Sequence, residues 1–131
     1  MDLLVDLEPP PGHEDAVELV VIGPQRPTIV GRLGTCDVLS ENVHVSRRHA
    51  RVDWDGLFGF RVKDLGSGNG TQLWRRGAWC QVPRIQNNSW GLFGSWGDYI
   101  RLGGRRGEMF RVMENPPLLP LPAPFYTCRG A

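Results

Sequence analysis

The shortness of every apolar segment is the feature that most constrains the fold. β-branched runs such as VELVVI at residues 17–22 and TIVG at residues 28–31 soon meet glycine or proline, of which the chain holds 17 and 11. No stretch keeps the 3.6-residue period of an amphipathic helix, whereas short strands separated by turn residues are typical of β-sandwiches. The sequence therefore predicts an all-β fold of two antiparallel sheets.

Further strands are predicted in pairs. HARVDW at residues 49–54 alternates in polarity, ends at Asp-Gly, and is followed by a partner strand at residues 58–62. Residues 99–102 and 109–113 form a second pair around the turn GGRRG. Shorter strands are expected at residues 73–74 and 78–82, with a long loop over residues 83–95. Function is expected on the loops at one end of the sandwich.

Both ends of the chain differ from this central domain, which we predict to span residues 16–114. Residues 1–15 are acidic and broken by prolines, and residues 115–131 are rich in proline, so both are expected to be flexible. Residues 1–18 hold six acids and no lysine or arginine, which leaves 15 bases against 8 acids, a charge of +7, in the remainder. No run of like charge indicates a nucleic-acid arm.

Cysteine use and hydropathy indicate an intracellular protein. Cys36, Cys80 and Cys128 are far apart and odd in number, which favours reduced thiols over disulfides and gives no metal-ligand spacing. The first residues lack the basic end and apolar run of a signal peptide. No segment approaches the roughly 20 apolar residues that span a bilayer. We expect a nuclear or cytoplasmic protein, not secreted, without metal or cofactor.

The glycine-rich stretch VKDLGSGNGT at residues 62–71 raises the question of a phosphate site. Its spacing is G-x-G-x-G before a strand-like segment, whereas a dinucleotide fingerprint needs G-x-G-x-x-G at the start of a helix. A P-loop needs lysine after its last glycine, where this chain has Thr71. Nucleotide binding is therefore disfavoured, and the Asn-Gly pair predicts a tight turn.

Four short motifs occur together over residues 17–114. They are Gly31-Arg32, the Ser-x-x-His of VSRRHA at residues 45–50, DLGSGNGT at residues 64–71, and GDYIRLG at residues 97–103. In this order they resemble the forkhead-associated (FHA) domain, and the loop GSGNGT is similar to members of the checkpoint-kinase type. The resemblance implies an eleven-stranded sandwich whose loops bind phosphothreonine in an extended peptide, and signalling such as the DNA damage response.

The resemblance also implies roles for individual residues. A phosphate carries nearly two charges and three acceptor oxygens, so it needs several converging donors and a fixed cation. The residues expected to contact the phosphopeptide are Arg32, Ser46, Arg47, Gly68 and Asn69. Those expected to support them are Gly31, His49, Ser67, Gly70 and Thr71.

Two features depart from the family pattern. Many members have serine or threonine where this chain has Gly68. Because glycine offers no hydroxyl donor, Arg32, Ser46 and Arg47 are expected to make a larger share of the phosphate contacts. Arg48 is expected to face solvent. The segment at residues 72–96 is longer than usual and rich in tryptophan, and its aromatic residues either pack on the core or line a specificity pocket. The candidate specificity residues are His44, Trp90, Phe93 and Trp96.

The expected function is phosphothreonine-dependent binding of partner proteins, as a stand-alone adaptor or competitor in Ser/Thr-kinase signalling. The alternatives are a phosphate-independent scaffold with a degenerate FHA fold and, less favoured, a nucleic-acid-binding protein. No membrane partner is expected. Ser46 and His49 are not expected to form an enzyme's nucleophile and base, because no third group orients the histidine. Phosphorylation of Thr127 could link two copies, and the acidic start could cover the basic site.

Overall fold

The structure is a computed structural model that describes residues 8–56, 59–84 and 90–115. Ten strands lie within these ranges: β1 (Val17–Val21), β2 (Thr28–Gly31), β3 (Val38–Leu39), β4 (Ala50–Trp54), β5 (Gly59–Asp64), β6 (Thr71–Arg75), β7 (Ala78–Gln81), β8 (Leu92–Ser95), β9 (Tyr99–Leu102) and β10 (Glu108–Glu114). Two short 3-10 turns, His13–Asp15 and Gly104–Arg106, are the only helical segments in this part of the chain. The predicted all-β class is confirmed. Among these residues no helix is long and apolar enough to cross a bilayer.

The strands form two sheets of five, in the orders β1-β10-β9-β6-β7 and β3-β2-β4-β5-β8. The expectation of wholly antiparallel sheets is wrong, because β1 pairs with β10 and β2 pairs with β3 in parallel. Neither pair is joined by a tight hairpin, so no turn requires its strands to run in opposite directions. The described residues hold ten strands where about eleven were expected.

The core lies between the two sheets. Side chains alternate across a strand, so each long strand contributes about every second residue to the interior. Phe60, Leu73 and Ile100 are fully buried. A slip of one residue in any long strand would turn its apolar side chains to solvent, so burial specifies the register. The other core residues are Leu19, Val21, Val30, Val45, Ala50, Val52, Val62, Val82, Leu102, Phe110 and Val112.

Four connecting segments meet at one end of the sandwich. The ends of β2 and β5 lie beside the start of β4, and the end of β9 lies beside the starts of β6 and β10. Consequently the segments at residues 32–37, 40–49, 65–70 and 103–107 project from the same end, which we call the loop end. Strand pairing thus brings together the motifs that are far apart in sequence.

Part of the N-terminal extension, for which flexibility over residues 1–15 is the expectation, packs on the fold. Pro10 is buried, and the Trp74 Nε1–H donates to the Glu8 carbonyl at 2.8 Å. The His13 ring lies edge-on to Tyr99, with the ring centroids 6.0 Å apart. Because these partners lie on the outer face of a sheet, local composition gave no sign of the packing. The expectations for residues 1–7, for residue 58 and for residues 116–131, including Thr127, fall outside the described residues.

The segment at residues 72–96 contains an unexpected strand. The strands β6 and β7 lie close to the two short strands predicted there, but β8 falls inside residues 83–95, which were expected to form a loop. Gly94 pairs with Phe60, and a Cβ at this glycine would lie 2.4 Å from the Phe60 ring. The strand therefore requires glycine at a position where glycine weakens any sequence signal for a strand.

Candidate functional site

Arg32 begins the loop that follows β2, and its backbone is tied to the next loop. The Arg32 N–H donates to the Ser46 carbonyl at 3.1 Å, and the Leu33 N–H donates to the Arg47 carbonyl at 3.0 Å. A Cβ at Gly31 would lie 2.1 Å from the Arg47 carbonyl oxygen, so only glycine permits this approach. The Arg32 Nε–H donates to the Val45 carbonyl. This contact orients the guanidinium, whose two terminal nitrogens have no hydrogen-bond partner among the described residues.

Ser46 joins this loop to the glycine-rich loop. Its hydroxyl oxygen accepts from the Gly68 N–H at 3.0 Å, and its own N–H donates to the His49 Nδ1 at 2.9 Å. The Ser46 N–H is therefore occupied and is not a donor for a ligand. The Arg47 N–H has no acceptor in the described part of the chain, which leaves it as the backbone donor at this position.

His49 is fully buried and, from the interior of the domain, connects the loop of Ser46 with the glycine-rich loop. Its Nδ1 accepts from Ser46, so Nε2 carries the proton and donates to the Gly70 carbonyl at 2.7 Å. Burial lowers the pKa of His49, partly opposed by the bond to Gly70 and by the charge of Asp64, so the ring is neutral. Both ring nitrogens bond to backbone groups and neither contacts the Ser46 hydroxyl. A nucleophile and base pair is therefore not formed.

The glycine-rich loop presents Gly68 and Asn69 to solvent. The Asn69 Nδ2–H donates to the His44 carbonyl at 2.9 Å, which ties the loop to the segment before Ser46. The Asn69 Oδ1 has no partner among the described residues. Gly70, with φ of 90°, adopts the left-handed conformation that favours glycine, and its carbonyl also accepts from the Gly103 N–H at 3.0 Å. The loop is thus held on both sides while its tip remains accessible.

Asp64, at the end of β5, organises this loop and was not among the expected site residues. Its carboxylate is fully buried and accepts four hydrogen bonds. Oδ1 accepts from the N–H groups of Gly66 and Ser67, at 2.8 and 2.7 Å, and Oδ2 from the hydroxyls of Ser67 and Thr71, at 2.7 and 3.0 Å. The Ser67 hydroxyl in turn accepts from the Gly70 N–H at 2.9 Å. Ser67 and Thr71 therefore face inward, and an aspartate followed by a glycine-rich turn was the sequence signal for this arrangement.

The loop end is positively charged and open. Arg32, Arg47 and Arg48 are exposed, and none forms an ion pair within the described residues. The Arg32 guanidinium and the Ser46 hydroxyl belong to loops bonded to each other, beside the exposed Gly68 and Asn69. Such a set of donors and cations suits a dianionic group that carries several acceptor oxygens.

The aromatic residues considered for specificity do not form one pocket. Trp96 packs against the core, with its ring centroid 5.9 Å from that of Phe60. Trp90, just before β8, is 71% exposed, and Phe93, on β8, is 46% exposed. His44 is half-buried, and its N–H donates to the Asn42 Oδ1 at 2.8 Å. Only His44 contacts the glycine-rich loop, through the carbonyl that accepts from Asn69.

A cavity of about 560 Å³ lies at the opposite end of the sandwich. Its lining includes Arg75, Phe93, Asp98 and Tyr99, and none of the expected phosphopeptide contacts. Burial raises the pKa of Asp98, whose carboxylate accepts from the Ser95 N–H at 2.8 Å. The donors at the loop end converge on an open surface instead, as an extended peptide requires. Within the described ranges no cluster of histidine, cysteine and acidic side chains could hold a metal ion.

Comparisons with known proteins agree with the motifs. The family model for the FHA domain matches residues 28–87. A chain from a structural and functional analysis of phosphothreonine-dependent FHA domain interactions is 31% identical, with 69% of this chain and 78% of that one covered and a TM-score of 0.49. The FhaA FHA domain, solved in complex with the intracellular domain of Rv3910, is also 31% identical, with coverage of 64% and 77% and a TM-score of 0.47.

A more distant structure supports the fold alone. The FHA domain of an Arabidopsis thaliana hypothetical protein is 22% identical, with 74% of this chain and 75% of that one covered and a TM-score of 0.53. No curated protein sequence matches this chain.

Proposed function

Because the chain belongs to the FHA domain family, we propose that its loop end binds phosphothreonine within an extended peptide. The family assignment rests on 31% identity to two FHA domains, of which this chain covers more than three quarters. The observation that carries the proposal is the junction of two loops, where Arg32 and Ser46 lie on bonded backbones beside exposed Gly68 and Asn69.

In this proposal each group has one role. The terminal nitrogens of Arg32 form a charge-assisted fork with the phosphate, and the Ser46 hydroxyl and the Arg47 N–H supply further donors. The Arg47 side chain adds positive charge. The Asn69 Oδ1, whose Nδ2–H is already bonded to His44, accepts from a backbone N–H of the peptide. The ligand chemistry therefore needs both a phosphate and an extended main chain.

The phosphate dependence is tested with an oriented phosphothreonine peptide library, followed by titration of one selected peptide in its phosphorylated and unphosphorylated forms. We expect about micromolar affinity for the phosphorylated form. Loss of the phosphate removes several charge-assisted hydrogen bonds of roughly 1.5–3 kcal/mol each, so affinity should fall by at least about 100-fold.

Two results would support the alternatives instead. Equal affinity for both peptide forms would indicate a phosphate-independent scaffold. Binding to an unmodified oligonucleotide that weakens steeply with salt would indicate a nucleic-acid-binding protein. No specific contact in the described residues favours either over the phosphothreonine site.

Gly68→Thr is expected to tighten phosphopeptide binding about three- to tenfold, because one more hydroxyl donor contributes roughly 0.5–1.5 kcal/mol. The position accepts a side chain, since the φ of Gly68 is not positive and a Cβ there approaches only the Ser46 hydroxyl oxygen, at 4.0 Å. Gly68→Val adds the same bulk without the hydroxyl and should bind at least about threefold more weakly than Gly68→Thr. Titration calorimetry compares the two, and equal affinities would contradict a phosphate contact at this position.

The cellular role is part of the same proposal. We infer that the domain at residues 16–114 binds, inside the cell, phosphothreonine sites made by Ser/Thr kinases. It acts there either as an adaptor that connects proteins or as a competitor that occupies the sites. Two further ideas extend this proposal. The first is a use of the domain in the DNA damage response, and the second is the linking of two copies through phosphorylated Thr127. Light scattering of the Thr127-phosphorylated protein tests the second idea, since a monomer would exclude it.

A further inference from the structure

Arg84 lies beside the glycine-rich loop although it is distant in sequence from every motif. Its backbone forms an isolated parallel bridge with Asp64, which places the residue next to the end of β5. Its Nη2–H donates to the Gly68 carbonyl at 3.3 Å, while the side chain remains exposed. Arg84 therefore lies at the edge of the surface that the phosphopeptide is proposed to occupy.

No carboxylate of the described residues neutralises the charge of Arg84, since none lies within ion-pair distance of its guanidinium. Asp64, which its backbone contacts, is buried and already accepts four hydrogen bonds. The five residues that follow Arg84, IQNNS, contain no acid. Four of the five guanidinium donors have no partner among residues 8–56, 59–84 and 90–115.

Gly68 links this cation to the phosphate donors. Its N–H donates to the Ser46 hydroxyl and its carbonyl accepts from Arg84, so the two groups lie on either side of one residue. An extended peptide advances about 3.3–3.6 Å per residue. A side chain within about three residues of a phosphothreonine held at Ser46 therefore comes within reach of Arg84.

We propose that Arg84 binds a second anionic group of the phosphopeptide, so that the preferred ligand carries an acidic residue or a second phosphate close to the phosphothreonine. This inference rests on the proposed phosphothreonine site and specifies the ligand class that the site selects. A carboxylate and a phosphate share the required chemistry, and an exposed guanidinium can bind either through two parallel hydrogen bonds.

The test is a titration of one reference phosphothreonine peptide and two sets of variants of it against wild type, Arg84→Gln and Arg76→Gln. The reference peptide has alanine at all flanking positions. In the first set of variants a single glutamate stands at one of the three positions on either side of the phosphothreonine, and in the second set a second phosphothreonine stands there. Arg76 is an exposed arginine in the β6–β7 turn, at the opposite end of the sandwich, so its variant is matched for the change of net charge.

We expect the best glutamate peptide to bind wild type about two- to fivefold more tightly than the alanine peptide, as for a partly exposed ion pair. A second phosphate should give a larger gain because it carries nearly two charges. Both gains should be lost in Arg84→Gln, retained in Arg76→Gln, and reduced at high salt. A gain with phosphate alone would identify a second phosphate, and not a carboxylate, as the group bound.

Two outcomes would overturn the inference while leaving the proposed function in place. If Arg84→Gln weakens the alanine and glutamate peptides by the same factor, Arg84 only shapes the loop. If no acid or second phosphate improves binding to wild type, the cation contacts no ligand. If no phosphorylated peptide binds the folded wild type, the proposed function fails, and the inference about Arg84 fails with it.

Discussion

Asp64→Ala is expected to destabilise the fold by about 3–5 kcal/mol, because it removes an acceptor of four hydrogen bonds from a fully buried position. The N–H groups of Gly66 and Ser67 and the hydroxyls of Ser67 and Thr71 would lose their partner. Water can reach the loop tip but not this interior, so little of the loss is recovered. Chemical denaturation followed by tryptophan fluorescence measures the effect.

Two further variants make this result specific. Asp64→Asn keeps one acceptor oxygen and nearly the same volume, so its stability should fall between those of wild type and Asp64→Ala. Asp55→Ala removes an exposed carboxylate in the β4–β5 turn and should change the stability by no more than about 0.5 kcal/mol. A loss below about 1 kcal/mol in Asp64→Ala would mean that the loop does not depend on this carboxylate.

Arg32→Ala is expected to reduce phosphopeptide affinity about 10- to 100-fold with little change in stability, since one or two charge-assisted hydrogen bonds to the phosphate are lost. The side chain is exposed, and within the described part of the chain its one hydrogen bond is that from Nε–H to the Val45 carbonyl. Arg32→Lys keeps the charge without the planar fork and should fall between wild type and alanine. Titration calorimetry with the selected peptide measures affinity, and denaturation measures stability.

Arg48→Ala is the matched control, because it removes an exposed arginine of the neighbouring loop whose side chain forms no ion pair with any described residue. Its effect on affinity should stay within about twofold, the screened contribution of a nearby charge. Equal losses in the two variants would show that net charge alone attracts the peptide. Unchanged binding in Arg32→Ala would remove this residue from the site.

The strands that the sequence predicted well carry a local signal, which is either a β-branched apolar run, as in β1 and β2, or an alternation of polarity. In β4 and β5 the apolar side chains occupy every second position, and the Asp-Gly pair marks the turn between them. The strands that it missed lack this signal: β3 has only two residues, and β8 contains the glycine that Phe60 requires. The two parallel pairings join distant segments, and no local pattern encodes the direction of such pairs.

The site residues also differ in how far the sequence predicts them, because only some of them lie in a local motif. Arg32, Ser46 and Asn69 stand in short motifs that can be read in the sequence, and they lie together at the loop end. The importance of Asp64 depends on four donors that converge on it only when the chain turns back. Arg84 has no motif, because its contact with Gly68 depends on the path of the chain after β7.

By itself the sequence determined the all-β class, the main strands and the residue types able to bind a phosphate, because alternation and turn chemistry act between near neighbours in the chain. Only the tertiary structure decided which loops meet, which donors remain open and which are occupied. The Ser46 N–H donates to His49 and the Ser67 hydroxyl donates to Asp64, so neither is open to a ligand. Arg84, by contrast, lies beside the loop tip and donates to the Gly68 carbonyl. These outcomes depend on strand pairing between distant segments, since it sets the distances at which hydrogen bonds form.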